Sequence, residues 1–265
     1  MKQSIITLIT DFGLCDEYVG VMKGVMASVN PSATVIDISH HISPQNIVHA
    51  AYTLYFSYQY FPENTIHVIV VDPGVGSNRK IVALQTEQYF FLSPDNGILT
   101  LILKNHQCTC VEIDRSEFFL STVSSTFHGR DIFAPVAAHL SKSFNIHLLG
   151  RPILPENLMT ISDMAPHFDN QKLIGKVILA DRFGNIVSNI STDDLTRIQI
   201  DPDHACIHIM DQQINGISTH YNQVKTGELL AIFGSKGLLE ISINCGNACQ
   251  KLGINQDSEI PITLN

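Results

Sequence analysis

Four short polar clusters stand at the ends of predicted strands, or at the start of a predicted helix, in the first half of the chain. They are TDFG (10–13), DPGVGSNR (72–79), SPDNG (93–97) and TFHGRD (126–131). In open parallel sheets, ligands bind beyond the carboxyl ends of the strands. A single aspartate at such a place often serves only as a turn former or a helix cap. Because four clusters occur together, we expect a shared site on one rim, built from Asp11, Asp72, Asp95, His128 and Asp131.

The segment VVDPGVGSNRK (70–80) has the composition of a phosphate-binding loop but not its spacing. Neither Gly74 nor Gly76 begins a GxxxxGK[ST] motif, and no helix start follows them. A lone Gly-Val-Gly is also too short for a dinucleotide fingerprint. The glycines are better explained by a sharp backbone turn beside a ligand. Asp72 and Arg79 are then the side chains of this segment that could do chemistry.

Two further polar clusters lie in the second half of the chain. DRFGN (181–185) combines a carboxylate, an aromatic ring and an amide, which suits ribose hydroxyls and a flat ring. GSKGLLEISINCGNA (234–248) offers Ser235, Glu240 and backbone groups near Ala248. A β-hairpin with polar turns explains either cluster equally well, so the residues alone leave both interpretations open.

The periodicity of the apolar residues predicts two domains. Apolar runs predict strands at 4–10, 34–39, 65–72, 80–86 and 89–95, and helical spacing predicts helices from Tyr18, from Asn46 and from about Asp131. This pattern indicates an α/β domain over 1–150. The proline-containing segment 151–171 is interpreted as a linker. Residues 172–265 alternate short apolar runs with Gly, Asn and Asp turns, which predicts a smaller β domain.

Composition excludes several classes of function for this chain of 265 residues. The formal charge is −9 and no basic run occurs, so nucleic acid is not an expected partner. No apolar run reaches the roughly 18 residues of a membrane span. The six cysteines form no CxxC pair, which favours free thiols in a reducing cytoplasm. Charged residues make up only 15%, and this sparse charge favours oligomerisation.

The six clusters, in this order, resemble one family. ITDFG, VDPGVGSNRK, SPDNG, TFHGRD, DRFGN and GSKGLLEISIN followed by GNA are similar to the motifs of the S-adenosyl-L-methionine (SAM) hydroxide adenosyltransferases, whose relatives include fluorinase and chlorinase. The resemblance runs from Ile6 to about Leu252. It implies an α/β domain with a central, mainly parallel sheet and a smaller β-barrel-like domain. It also implies a homotrimer with active sites where subunits meet.

The resemblance also assigns site residues. The family's catalytic set falls on Asp72, Arg79 and His128, and Asp11 falls on the position that holds the ribose hydroxyls. The remaining positions imply contacts to methionine and adenine, and they are Asp181, Phe183, Asn185, Ser235, Glu240 and the backbone of Ala248. Lys236 departs from the pattern, because the halogenating relatives carry an arginine there. Lysine keeps the charge but loses the fork geometry of the guanidinium.

The reaction that the resemblance implies is attack of water or hydroxide on the ribose 5′ carbon of SAM, which gives adenosine and L-methionine. A sulfonium leaves as a neutral thioether and needs no acid, whereas bulk water, with a pKa of about 15.7, needs activation. A His–Asp pair can position and deprotonate water, and a nearby arginine favours hydroxide. The implied reaction requires no metal and no cofactor, SAM being the substrate.

Three other functions remain open from the sequence. A halide could replace hydroxide as the nucleophile, which would make the protein a SAM-dependent halogenase of the chlorinase type. The protein could instead bind SAM or adenosine without turnover, as a sensor or scavenger. A metal phosphoesterase built on Asp11, Asp72, Asp95 and His128 would be inhibited by a chelator.

Overall fold

The computed structural model describes residues 4–162, 164–169 and 172–254, together with the backbone of 261–264. The chain divides into two compact units, Met1–Ile161 and Ser162–Asn265. None of the helices in the described ranges combines the length and the apolar character of a membrane span.

The described part of the first unit consists of seven strands and four α-helices. In chain order they are β1 (Ile5–Thr10), α1 (Tyr18–Val29), β2 (Thr34–Ser39), α2 (Ile47–Tyr55), β3 (Ile66–Val70), β4 (Ile81–Gln85), β5 (Phe90–Pro94), α3 (Thr100–Asn105), β6 (Thr109–Ile113), α4 (Ala134–Ser143) and β7 (Gly150–Ile153). The start of the predicted linker thus pairs within this sheet, because β7 is hydrogen-bonded to β6.

The sheet of the first unit is mixed, whereas a mainly parallel sheet was expected. Its strand order is β2-β1-β3-β5-β4-β6-β7. The strands β2, β1, β3 and β5 run parallel to one another. The strands β5, β4, β6 and β7 pair antiparallel. The reason is the short 86–89 connection between β4 and β5, since a connection of that length joins only antiparallel strands.

Buried side chains cover both faces of this sheet. One cluster joins strand residues such as Leu8 and Val68 to Met22 and Met26 of α1 and to the apolar face of α4. The other joins alternate strand residues, such as Ile69, to α2 and α3. This alternation is the two-residue period of a strand whose faces are both covered. The two layers fix the strand ends that carry the polar clusters.

The described part of the second unit is a β-sheet with two short helices. Its elements are β8 (His167–Asp169), β9 (Lys172–Ala180), β10 (Ile186–Ser191), α5 (Thr192–Ile198), β11 (Cys206–Ile209), β12 (Gln212–Asn215), β13 (Ile217–Ser218), β14 (Leu229–Phe233), β15 (Leu238–Ile243), α6 (Ala248–Leu252) and β16 (Pro261–Leu264). The strand order is β12-β11-β16-β9-β10-β15-β14-β13, with β8 beside β9. Over the described residues these pairings do not close into a ring.

Candidate active site

A cavity of about 400 Å³ opens at the carboxyl ends of β1 and β3 in the first unit. The last residues of these two parallel strands, Thr10 and Val70, are neighbours in register. Asp11 therefore emerges beside the segment that carries Asp72. Both side chains line the cavity, together with His128 from the segment before α4. Three of the five residues expected on one rim therefore line the same cavity.

The loop from Asp72 to Arg79 is held in place at both of its ends. Asn96 Nδ2 donates to the backbone oxygen of Val71 at 3.0 Å, and the backbone N–H of Asp95 donates to the oxygen of Lys80 at 2.9 Å. The SPDNG segment therefore fixes the two backbone positions that flank the loop. The segment thus positions the loop that carries Asp72 and Arg79.

Gly76 allows the same loop to approach the segment that carries His128. Its φ is +77°, in the left-handed region, and a Cβ placed there would lie 2.1 Å from the backbone oxygen of Ser125. Only glycine fits both the conformation and the space. The close approach brings Arg79 within reach of His128.

Asp72, Arg79 and His128 form one hydrogen-bonded set. Arg79 Nε donates to Asp72 Oδ1 at 3.0 Å and to Oδ2 at 2.8 Å, and Arg79 Nη2 contacts Oδ2 as well. Arg79 Nη2 also lies 2.8 Å from His128 Nδ1. The side chains of Arg79 and Asp72 are only 9% and 5% exposed. The expected His–Asp pair is therefore bridged, because the guanidinium lies between the two.

The bridge determines the protonation state of His128. A guanidinium has donors only, so Nδ1 of His128 must accept and the hydrogen of the neutral ring must sit on Nε2. Burial lowers the pKa of His128, and the charge of Arg79 lowers it further, whereas Asp72 and Asp131 act in the opposite direction. The imidazole is accordingly neutral at neutral pH.

Asp11 also lines the cavity, and its carboxylate is fixed by the backbone. Its Oδ2 accepts a hydrogen bond of 2.8 Å from the N–H of Gln45. Gln45 also lines the cavity and has a φ of +63°, which is uncommon for a residue other than glycine. Such conformations cluster at functional sites. The arrangement presents a carboxylate suited to the hydroxyls of a ribose.

Three aromatic rings complete the cavity wall, and the sequence did not single them out. Phe12, Tyr18 and Phe127 line the cavity, and their ring centroids lie 5.1 to 5.9 Å apart. Phe12 and Phe127 lie within two of the polar clusters, where an aromatic residue between polar neighbours was the available signal. Aromatic faces of this kind suit a flat ring or a sulfonium cation.

Asp95 and Asp131 do not line the cavity, contrary to the expectation. Asp95 accepts a hydrogen bond of 2.8 Å from the N–H of Met159, and burial raises its pKa. Asp131 is fully buried and accepts from the N–H of Ser124 at 2.7 Å and from Arg130 Nε at 2.6 Å. Burial alone would raise the pKa of Asp131, but these hydrogen bonds outweigh it and lower the pKa. Both carboxylates hold the backbone of neighbouring segments.

In the second unit, the DRFGN cluster forms a tight turn closed by its own aspartate. Asp181 Oδ1 accepts from the N–H groups of Phe183 and Asn185, each at 2.9 Å. Asp181 Oδ2 accepts from Asn185 Nδ2, also at 2.9 Å. The turn leaves the ring of Phe183 76% exposed. An exposed ring beside a fixed carboxylate gives a surface on which a flat ligand can stack.

Glu240 lies near this turn and is 7% exposed. Burial raises its pKa most, the charge of Asp181 raises it further, and the charge of Lys236 lowers it. Tyr221 belongs to the same group, because burial, Glu240 and Asp181 all raise its pKa. Two carboxylates within electrostatic reach of each other would be stabilised by a cation such as an amino group.

The other two predicted residues of the second unit lie at the ends of elements. Ser235 is exposed in the turn between β14 and β15, next to Lys236. Ala248 is fully buried as the first residue of α6, and the preceding Asn247 caps this helix by accepting from the N–H of Gln250 at 2.7 Å. The structure thus places Asp181 and Glu240 within electrostatic reach of each other, and it locates Ser235 in a turn and Ala248 at the start of α6.

No three His, Cys, Asp or Glu side chains within the described ranges come close enough to share a metal ion. The donor set needed for a metal phosphoesterase is also dispersed, because Asp95 is engaged by the backbone away from the cavity. The arrangement of Asp72, Arg79 and His128 instead suits acid–base and electrostatic chemistry on a small molecule.

Comparison with known proteins places the chain among SAM-dependent enzymes. Residues 6–150 match the N-terminal domain of the SAM hydroxide adenosyltransferases, and residues 175–261 match their C-terminal domain. The (R)-S-adenosyl-L-methionine hydrolase of Methanocaldococcus jannaschii is 37% identical, over 97% of this chain and 95% of its own length. A fluorinase of Nocardia brasiliensis is 26% identical over 75% of both chains.

Solved structures agree with this placement. An uncharacterized conserved protein from Thermotoga maritima superposes with a TM-score of 0.88 at 37% identity, covering 98% of this chain and 99% of its own. A conserved hypothetical protein from Thermus thermophilus gives a TM-score of 0.78 at 30% identity, covering 99% of this chain and 100% of its own. The chain belongs to the SAM hydroxide adenosyltransferase family.

Proposed function

We propose that this protein hydrolyses SAM to adenosine and L-methionine by attack of water on the ribose 5′ carbon. The observation that carries the proposal is the hydrogen-bonded set of Asp72, Arg79 and His128, of which Asp72 and His128 line a ligand-sized cavity and Arg79 joins the two. A halide nucleophile needs no base, whereas water does. The hydrolases among its relatives, at up to 37% identity, support the same reaction.

Asp72 is the group that takes the proton from the water. Asp72 and His128 both line the cavity, but Nδ1 of His128 accepts from Arg79 and its Nε2 already carries a hydrogen. Oδ1 of Asp72 takes a single bond, from Arg79 Nε, and keeps a second lone pair for a proton. The carboxylate can accept a proton even though it is a weak base, because the acidity of the water rises as its oxygen bonds to carbon. His128 in its neutral form positions the water through Nε2. This assignment replaces the expected His–Asp base by an Asp base.

The remaining steps balance without a further reagent. The new bond joins the water oxygen to the 5′ carbon, while the carbon–sulfur bond breaks and its electron pair stays on the sulfur of L-methionine. The positive charge of the sulfonium disappears and one proton passes to Asp72, which later releases it to solvent. Arg79 stabilises the developing hydroxide, and exclusion of water by the bound substrate strengthens that effect. The reaction requires no metal and no cofactor.

Substrate binding is assigned to two groups of residues. Asp11 holds the ribose hydroxyls at the cavity. The second group contacts methionine and adenine, and it consists of Asp181, Phe183, Asn185, Ser235, Glu240 and the backbone of Ala248. The two carboxylates Asp181 and Glu240 suit the amino group of methionine, and the exposed ring of Phe183 suits adenine. Lys236 provides a charge for the methionine carboxylate without the fork of an arginine.

Three broader properties complete the proposal. The enzyme is a homotrimer with active sites at subunit interfaces, which the family resemblance implies. The sheet of the second unit curls into a barrel-like form. The protein acts in the cytoplasm, the reducing compartment in which its cysteines stay free thiols.

The relatives' names define the configuration to test. Because "L" already specifies the α-carbon of methionine, "(R)" in the hydrolases' name describes the sulfonium sulfur, which carries three different carbon substituents. The experiment is incubation of the protein with each sulfur epimer of SAM, with and without chloride, followed by chromatography. We expect adenosine and L-methionine in equal amounts, faster from the (R) epimer and independent of chloride. Formation of a 5′-chloro nucleoside, or retention of intact SAM, would refute the hydrolase assignment.

A further inference from the structure

A row of contacting side chains runs from Thr10, next to Asp11, to the protein surface. Thr10 Oγ1 lies 2.8 Å from Nδ1 of His40, and Nε2 of His40 lies 3.0 Å from Asp37 Oδ1. Asp37 Oδ2 accepts from Lys23 Nζ at 2.6 Å. Thr10 is fully buried and His40 is 3% exposed. The threonine, histidine and aspartate form a relay with the connectivity of a catalytic triad, but its hydroxyl is buried and does not line the cavity.

The contacts in this row of side chains differ in geometry. The Thr10–His40 contact is a regular hydrogen bond between buried partners. The His40–Asp37 contact has an ion-pair distance but not the alignment of a regular hydrogen bond. Burial would raise the pKa of Asp37, but the contacts with Lys23 and His40 outweigh it and lower the pKa. The carboxylate of Asp37 is therefore held by His40 at Oδ1 and by Lys23 at Oδ2.

The row of Thr10, His40 and Asp37 is connected to the turn that carries Asp11. Thr10 Oγ1 accepts from the N–H of Phe12 at 3.3 Å, and the backbone oxygen of His40 accepts from the N–H of Gly13 at 2.7 Å. These two bonds bracket Asp11 and Phe12, both of which line the cavity. The carboxylate of Asp11 is held in turn by the N–H of Gln45. The direction in which Asp11 points therefore depends on the ring of His40 through Thr10.

We propose that His40, together with Thr10 and Asp37, is a positioning group for Asp11: it fixes the turn of 11–13 so that the Asp11 carboxylate meets the ribose hydroxyls of an adenine nucleoside. The proposal rests on the function proposed above, in which Asp11 holds the ribose. None of the three residues touches the substrate. Their effect is to reduce the freedom that Asp11 would otherwise lose on binding.

The same strand offers a matched control away from the cavity. Thr7 of β1 is also fully buried, and its Oγ1 lies 2.7 Å from Nδ1 of the fully buried His67. Neither Thr7 nor His67 lines the cavity. Thr7→Val and Thr10→Val therefore each remove a threonine hydroxyl from β1, and each leaves the Nδ1 of a buried histidine without that partner. Only Thr10→Val should disturb Asp11.

Calorimetric titration of the full chain with adenosine tests the proposal. We expect Thr10→Val to weaken adenosine binding about 3- to 10-fold, the effect of one lost hydrogen bond, and Thr10→Ser to restore it to within about twofold. Thr7→Val should bind within about twofold of the parent, although both valine variants lower the melting temperature. In an Asp11→Asn background, Thr10→Val should add less than about a twofold loss, because residues that act through one another are not additive.

Several results would overturn the positioning role. These are parent-like binding by Thr10→Val, equal weakening by Thr7→Val, or a full additional loss in the Asp11→Asn background. The same preparations are assayed for release of L-methionine from SAM. A parent that binds adenosine but releases no methionine contradicts the hydrolase function, and the titrations then still decide whether the Thr10–His40 contact positions Asp11. A parent that does not bind adenosine overturns the positioning role itself.

Discussion

Replacement of Asp72 by asparagine is expected to lower kcat about 100- to 10,000-fold, the range for removal of a general base. Asparagine keeps the shape of the side chain and an oxygen that can accept from Arg79, but it cannot take a proton from water. KM should change far less than kcat, because the proposed function assigns substrate binding to Asp11 and to residues of the second unit. Steady-state release of L-methionine from SAM measures both parameters.

The matched control for this variant is Asp114→Asn. Asp114 also pairs with an arginine, since Arg151 Nε donates to its Oδ2 at 2.5 Å, but neither residue lines the cavity. Asp114→Asn should retain the kcat of the parent. If Asp72→Asn turns over SAM as fast as Asp114→Asn, then Asp72 does not accept the proton.

Replacement of Arg79 by glutamine is expected to have two large effects. It leaves the carboxylate of Asp72 buried without its cationic partner, and loss of one partner of a buried ion pair costs about 3 to 5 kcal/mol of the free energy of unfolding. It also removes the charge that stabilises hydroxide, which should lower kcat about 100- to 1,000-fold. Denaturant unfolding and methionine release measure the two effects.

The same variant makes a signed prediction for the pH profile. The proposed mechanism needs His128 neutral, and burial together with the charge of Arg79 lowers its pKa from 6.5. In the parent, the acid limb of kcat/KM should therefore lie below pH 6.5. Loss of the Arg79 charge removes one cause of the lowering, so the pKa of His128 rises and the limb moves to higher pH. A limb that stays in place or moves to lower pH would contradict the role assigned to Arg79.

Arg151→Gln is the control for both measurements. Arg151 pairs with Asp114 but is 70% exposed, and surface ion pairs contribute little to stability. The unfolding curve and the pH profile of this variant should match those of the parent. A comparable loss of activity in both arginine variants would point to a general effect of net charge.

The sequence placed Asp11 and Asp72 together correctly because β1 and β3 are parallel neighbours. Asp11 and Asp72 directly follow apolar runs, and the carboxyl ends of parallel strands share one edge of a sheet. The same rule misplaced Asp95. That residue does follow a parallel strand, β5, but its carboxylate turns to the N–H of Met159, and no local pattern around Asp95 indicates a partner so distant along the chain.

The order of contacts among Asp72, Arg79 and His128 was not predictable from the sequence. Motifs named Asp72, Arg79 and His128, and a direct His–Asp pair was expected. The guanidinium lies between the other two because Gly76 lets its loop approach the backbone of Ser125. That approach depends on tertiary packing, which the spacing of residues in the chain does not encode.

The mixed sheet and the aromatic wall were missed for different reasons. The family resemblance implied a mainly parallel sheet, although the short connection between β4 and β5 was visible in the sequence and favours a hairpin. Phe12, Tyr18 and Phe127 come from three separate segments, and Tyr18 fitted the apolar periodicity of α1. Their convergence at the cavity becomes apparent only when the segments are folded together.

In the proposed mechanism, water attacks the ribose 5′ carbon under the control of Asp72, Arg79 and His128. Incubation of the protein with SAM in ¹⁸O-labelled water, followed by mass spectrometry of both products, tests it most directly. The proposed mechanism predicts one ¹⁸O atom in adenosine, at the 5′ oxygen, and none in L-methionine. Adenosine without the label, or a nucleoside that carries a halide at the 5′ carbon, would contradict it.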